Sequence, residues 1–102
     1  MKNFKNISED GLSVMHLIHM NPKISQRQLA KNTGLSIGKV NYCLKSLVDI
    51  GYVKILNFQK SDNKLKYAYI LTPSGLKQKT IITKKFIIKK QQEFDKLQSY
   101  LR

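Results

Sequence analysis

The sequence predicts a mainly α fold with a small β-hairpin wing: a winged helix-turn-helix followed by one long C-terminal helix. Three observations predict it. Two short, capped helical patterns lie between Ser25 and Gly51 with only about three residues between them. After Gly51 the apolar period changes from helical to strand-like, and from Pro73 to Arg102 nothing breaks a helix. A chain of 102 residues is one unit, large enough for a modest core and too small for a second. We divide it into residues 1–72, the winged helix-turn-helix domain, and 73–102, a terminal helix of the same compact unit.

A polar lead, Met1 to Asn6, precedes a helix from about Ser8 to Met20 that carries Glu9 and Asp10 in its first turn, where the helix dipole favours acids. It ends at Asn21-Pro22. Ile7 and Leu12 have staple spacing, and Leu12, Met15, Leu17 and Ile18 form the side expected to cover the helix-turn-helix. Ser25 and Gln28 then make a capping box, with Ile24 and Leu29 as its staple. That helix turns Leu29 and Ala30 inward and stops at Gly34, a residue type that takes the left-handed conformation of a helix end at no steric cost. Ser36 caps the next helix, Leu35 and Val40 staple it, Val40, Leu44, Leu47 and Val48 point inward, and Gly51 ends it.

So short a turn makes the two helices cross, the geometry that presents the second to a DNA major groove. Its outward residues are Ser36, Gly38, Lys39, Asn41, Tyr42, Lys45 and Ser46, with no carboxylate before Asp49. Asn can pair with adenine, Lys with guanine or phosphate, and Gly38 admits close backbone approach. The same face would also serve as an ordinary solvated helix surface. Two runs, Tyr52 to Gln59 and Leu65 to Leu71, are rich in β-branched and aromatic residues and flank the turn-like Lys60-Ser61-Asp62-Asn63-Lys64, which reads as a hairpin. Lys60, Lys64 and Lys66 would let it lie as a wing along the phosphate backbone or in the minor groove; lysines also blunt sheet edges.

Thr72 as N-cap, Pro73 at the first helical position and the Leu71–Leu76 staple start the last helix. At about 1.5 Å per residue, its roughly 29 residues make a rod of about 44 Å, longer than so small a domain can bury against itself. Read in sevens, Ile87, Phe94 and Leu101 share one seam position, Thr83, Lys90 and Leu97 the other, and Phe86, Glu93 and Tyr100 flank them. This is the stripe of a dimerisation helix, with Phe86, Ile87, Lys90, Phe94, Leu97, Tyr100 and Leu101 as its contacts. Ile81, Ile82 and Ile88 should pack on the helix's own domain.

The charge balance agrees with a nucleic-acid partner. Nineteen Lys and Arg against six Asp and Glu give a formal +13, which calls for a polyanion. The segment from Pro73 holds 8 basic and 2 acidic residues, some of them expected to be solvated only. No apolar run approaches the ~20 residues of a membrane span and the N-terminus has no signal-peptide core, so a cytoplasmic protein without membrane contact is expected. Cys43, the single cysteine, excludes an intramolecular disulfide and fits a small core gap. His16 and His19 lie three apart, but no cluster offers further ligands, so neither metal nor cofactor is expected. There is no Gly-rich phosphate loop, no paired carboxylates and no Ser-His-Asp or Cys-His set, so no catalytic residues and no enzyme are expected. Aromatic platforms of common RNA modules are also lacking. A protein-interaction module is the alternative, and it would need an apolar outer face on the second helix of the pair.

The order helix, helix-turn-helix, wing, then Leu71-Thr72-Pro73-Ser74-Gly75 resembles the MarR-type winged-helix transcriptional regulators, whose wing is followed by a similar Leu-Thr-x-x-Gly start of a dimerisation helix. The resemblance covers about residues 8 to 100. More narrowly, Ile24-Ser25-Gln26-Arg27, Gly38-Lys39-Val40-Asn41-Tyr42-Cys43-Leu44-Lys45, Asn57-Phe58, Ser61, Asn63-Lys64 and Tyr67-Ala68-Tyr69 are similar to the MarR-like subgroup associated with exopolysaccharide (EPS) gene clusters in bacteria. The resemblance implies a homodimeric regulator on a pseudo-palindromic double-stranded DNA operator. Ser25, Gln26, Arg27, Ser36, Gly38, Lys39, Asn41, Tyr42, Lys45, Lys60, Lys64 and Lys66 would form its DNA-binding set. Two departures stand out. Asp62-Asn63-Lys64 replaces the family's wing Asp-x-Arg, which would pass the minor-groove contact to Lys64. Typical members run some forty residues further, with helices that close a ligand pocket. Only one helix follows the wing here, so a small-molecule effector is not carried over.

Overall fold

The computed structural model describes residues 7–59 and 65–102. The elements run α1 (Glu9–Met20), α2 (Gln26–Thr33), α3 (Ile37–Ile50), β1 (Val53–Gln59), β2 (Leu65–Leu71) and α4 (Pro73–Ser99). This is a winged helix-turn-helix with a long terminal helix. The polar lead Met1 to Asn6 and the hairpin tip, with Lys60 and Lys64, lie outside the described residues. No helix among those residues is long and apolar enough to cross a membrane.

Local chemistry sets the helix ends. Ser8, Ser25, Ser36 and Thr72 each accept a backbone N–H from the first turn of the helix they precede. At Ser25 the reciprocal half of the box is present as well, the Ser25 N–H donating to Gln28 Oε1 at 3.1 Å. Gly34 and Gly51 adopt φ of +76° and +92°, which ends α2 and α3. Tyr52, expected as the first residue of β1, instead completes the end of α3. Its N–H donates to the Leu47 carbonyl and the Gly51 N–H to that of Val48, the paired bonds of a Schellman motif. The strand therefore begins one residue later.

β1 and β2 pair antiparallel from Val53↔Leu71 to Gln59↔Leu65. The far edge of β2 is also engaged, because the Tyr69 N–H donates to the Pro22 carbonyl between α1 and α2. The core gathers Val14, Met15 and Ile18 of α1, Ile24, Leu29, the α3 stripe Val40, Cys43, Leu44 and Leu47, and Val53, Tyr69 and Leu71 of the hairpin. Each such aliphatic side chain contributes about 1.5–3 kcal/mol through its burial. The inward side of α1 is shifted from expectation: Val14 is fully buried, while Leu12 and Leu17 are half-buried on its flank. The shift follows from α1 being covered by α2, α3, α4 and β2 together, which turns the Gly11–Val14–Met15–Ile18 face to the centre.

α4 leaves the hairpin under tight control. The Thr72 N–H donates to the Tyr52 carbonyl (3.0 Å), the Thr72 hydroxyl donates to that of Gly51 (2.6 Å), and its oxygen accepts the Gly75 N–H. Gly75 is buried, and a Cβ there would overlap the Tyr52 carbonyl oxygen and sit 2.9 Å from its carbon. Ile82 is buried and Ile81 half-buried against the domain. Ile88 does not join them, being 58% exposed. At about 100° per residue it lies about 240° round the helix from Ile82, on the far side. From Ile87 onward every residue of α4 is exposed.

Gly75→Ala should therefore destabilise the fold by about 3 kcal/mol, as forced overpacking against backbone does. Thermal unfolding followed by circular dichroism should show a midpoint lowered by ~10–20 °C; an unchanged midpoint would mean that the α4 junction yields freely.

Candidate nucleic-acid interface

The outward face of α3 begins with its own cap. Ser36 Oγ accepts the Lys39 N–H at 3.0 Å, which fixes the first turn and leaves Gly38 and Lys39 exposed beside it. Lys39 Nζ stands 5.4 Å from the centre of the Tyr42 ring, a cation–π distance, and Tyr42 is 65% exposed. One turn on, Asn41 is half-buried and Lys45 exposed. The five residues Ser36, Gly38, Lys39, Tyr42 and Lys45 thus share one accessible surface, with Asn41 at its margin.

The expected contributors from α2 divide. Arg27 is exposed. Ser25 is also exposed, but its hydroxyl is committed to the capping box, accepting the Gln28 N–H at 3.0 Å. Gln26 is half-buried and its Nε2 donates to the Tyr69 hydroxyl at 3.1 Å, a bond across 43 residues of sequence that ties the start of α2 to the hairpin. On the wing, Lys60 and Lys64 lie outside the described residues. Lys66, in β2, has its backbone opposite Phe58 of β1, and its side chain lies outside what the structure describes.

Sequence reasoning did not single out the cleft between α3 and the hairpin. It has a volume of about 540 Å³ and is bordered by Gln26, Asn41, Lys45, Asp49, Tyr67 and Tyr69 over an apolar floor that includes Leu44 and Ile55. The available signal was the Tyr67-x-Tyr69 spacing, which puts both phenols on one face of a strand.

Cys43, His16 and His19 lie away from this face. Cys43 is buried in the core. Burial pushes its thiol above the ordinary value, against a smaller opposite pull from Lys39 and with a further small push from Asp10. His16 and His19 are exposed, and among the described residues no three His, Cys, Asp or Glu side chains could hold a metal together.

The expected dimer residues Ile87, Phe94 and Leu97 on α4, and Tyr100 and Leu101 just past it, are 55–87% exposed; the helix stops at Ser99, with Tyr100 as its C-cap, rather than running on to Arg102. Phe86 is half-buried and, with Leu12, Leu17 and Ile87, lines a groove between α1 and α4. Lys90, read from the heptads as a seam residue, reaches its own α1: Nζ is 3.1 Å from Glu9 Oε1. The hydrogen bond to Glu9 is the main cause that raises the Lys90 ammonium above its ordinary value. With both groups more than half exposed, the pair orients α4 rather than adding much stability.

Residues 12–54 match the winged helix-turn-helix DNA-binding family. No protein of curated function matches the sequence. Among solved structures, a MarR/EmrR family transcriptional regulator from Acinetobacter sp. ADP1 is 19% identical, with a TM-score of 0.66 over 87% of this chain and 61% of its own. MepR, a transcription regulator of the Staphylococcus aureus multidrug efflux pump MepA, is 17% identical, with a TM-score of 0.64 over 89% of this chain and 66% of its own. Streptococcus pneumoniae FabT, solved in complex with DNA, is 19% identical, with a TM-score of 0.62 over 92% of this chain and 64% of its own. The chain spans less than two thirds of each of these proteins, and at such identities the likeness is one of fold.

The position of Cys43 predicts slow chemistry. Because its thiolate is disfavoured, maleimide labelling of native protein at pH 7.5 should run at least tenfold slower than in denaturant. Mass spectrometry checks this, and equal rates would put the thiol outside the core.

Proposed function

We propose that this chain, which shares the fold of MarR-type regulators, is a sequence-specific double-stranded DNA-binding transcriptional regulator that acts as a homodimer. The observation that carries the reading is the outer face of α3, where Ser36, Lys39, Asn41 and Lys45 accompany the exposed Ile37 and Tyr42 with no carboxylate over that span, set beside a hairpin by a winged helix-turn-helix. That surface suits a major groove, with Asn41 and Lys39 toward base edges and Arg27 and Lys45 toward phosphates. The wing lysines Lys60, Lys64 and Lys66 would add backbone or minor-groove contacts. FabT, of the same fold, is described in complex with DNA, which supports the choice of partner. The strings that resemble the EPS-associated MarR-like subgroup would place the chain in that subgroup, a reading that exopolysaccharide genes beside its own would support.

The homodimer rests on the α4 stripe. A two-fold pair of α3 helices about 34 Å apart would read two half-sites of a pseudo-palindrome, more sequence than one winged helix can select. The uncovered apolar residues from Ile87 to Leu101 are the surface that a second copy would cover.

Asn41→Ala should cost about 1–3 kcal/mol on a preferred duplex and little on random DNA, as loss of a base contact does. Fluorescence anisotropy on both duplexes decides it; equal losses would give Asn41 a phosphate role. Phe94→Asp with Leu97→Asp should yield monomers that keep their helix content and lose tight operator binding. In sedimentation, a wild-type chain that stays monomeric at tens of micromolar, with or without DNA, would refute the homodimer and leave α4 as a docking arm for another protein.

A further inference from the structure

The cleft between α3 and the hairpin has a use that the recognition face and the wing lysines do not account for. If α3 lies in the major groove and the wing beside the adjacent minor groove, one sugar-phosphate strand separates the two grooves and must run between the two elements. The cleft is the gap in its path. Its walls offer a neutral hydroxyl, Tyr67, 48% exposed on the hairpin, and across from it Lys45 and Asn41 on α3. Asp49 also borders the cleft. It lies two residues before Gly51, where the chain reverses into the hairpin, whereas Tyr67 pairs with Asn57, further out along it. The donor hydroxyl and the ammonium thus stand at the outer part of the cleft, which is where a phosphate would find both.

Resting on the DNA-binding reading above, we infer that this cleft seats a single backbone phosphodiester of duplex DNA, with the Tyr67 hydroxyl as hydrogen-bond donor and Lys45 as counter-charge. Tyr69 is the positioning residue. It lies two residues along the same strand face, is 5% exposed, and accepts the Gln26 amide at 3.1 Å, so the hairpin face bearing Tyr67 is held against α2 rather than free to swing. A phenol sets register without displacing counterions, which separates its contribution from that of the lysines.

The test uses the full chain, a 30-base-pair duplex selected by the wild-type protein from a random pool, and a set of the same duplex with single methylphosphonates. Tyr67→Phe, at an exposed position, should keep the wild-type unfolding midpoint and bind about tenfold more weakly. The slope of log affinity against log salt should not change, whereas Lys45→Gln should flatten it by about 0.9. One methylphosphonate position should weaken wild type strongly and Tyr67→Phe about tenfold less. Tyr69→Phe should lose part of the same selectivity. Wild-type affinity for Tyr67→Phe, or identical methylphosphonate profiles for the two proteins, would overturn the phosphate seat while leaving the DNA-binding reading intact. Failure of the wild type to bind any duplex would overturn both.

Discussion

The first turn of α4 lies against the backbone that closes α3. The Thr72 N–H and hydroxyl take up the carbonyls of Tyr52 and Gly51, and the bare Cα of Gly75 lets the two segments meet without a side chain between them. Tyr52 is itself fixed by the Schellman bonds that end α3. The end of the recognition helix, the root of the hairpin and the start of the long helix therefore share one rigid junction. The direction in which α4 leaves is set relative to α3 within a few residues, and any spacing between two α3 helices in a dimer inherits that angle.

The helix-turn-helix is stiffened from both sides. Underneath, Leu29, Val40, Leu44 and Leu47 are buried against Val14, Met15 and Ile18. Above, caps at Ser25 and Ser36 occupy donors that would otherwise need water or a ligand. The price is that Ser25 and Ser36, attractive as DNA contacts by residue type, have hydroxyls already employed in holding the helices. Gln26 is employed similarly, by Tyr69. The groups left to face outward are the bare backbone of Gly38, the Tyr42 ring, and the long side chains of Lys39, Lys45 and Arg27, with Asn41 at the margin.

α4 divides into two physical regimes. Up to Phe86 it is packed into the domain, with Gly75 and Ile82 buried and Phe86 against the α1 groove; from Ile87 every residue is exposed, although Ile87, Lys90 and Phe94 still border that groove. The Lys90–Glu9 pair sits just past that boundary and ties the emerging rod to the start of α1. A helix that carries Ile87, Phe94 and Leu97 into water, with Leu101 just past its end, exposes a large apolar area.

Much of this was legible in the residues alone, because it depends on neighbours three to five positions away. The capping box of Ser25 and Gln28, the left-handed glycines 34 and 51, the Thr72-Pro73 start and the inward stripe of α3 are all local patterns, and they fixed the elements and their order. Where several elements compete for one residue, local pattern had no purchase. Val14 displaced Leu12 and Leu17 from the centre because α1 is covered from four directions. Tyr52 went to the end of α3 instead of the strand because its N–H found Leu47. Ile88 faces away because only packing decides which side of a long helix meets its domain. The cleft of Gln26, Tyr67 and Tyr69 joins residues about forty apart, brought together by the hydrogen-bond register of β2 and by the Tyr69–Pro22 bond. The sequence alone determined the elements, their order, the helix caps and the charge balance, since those follow from composition, short-range sterics and hydrogen bonding. Only the tertiary structure decided which polar side chains are free to meet a ligand and which hold the fold, because that choice is made between groups far apart in the chain.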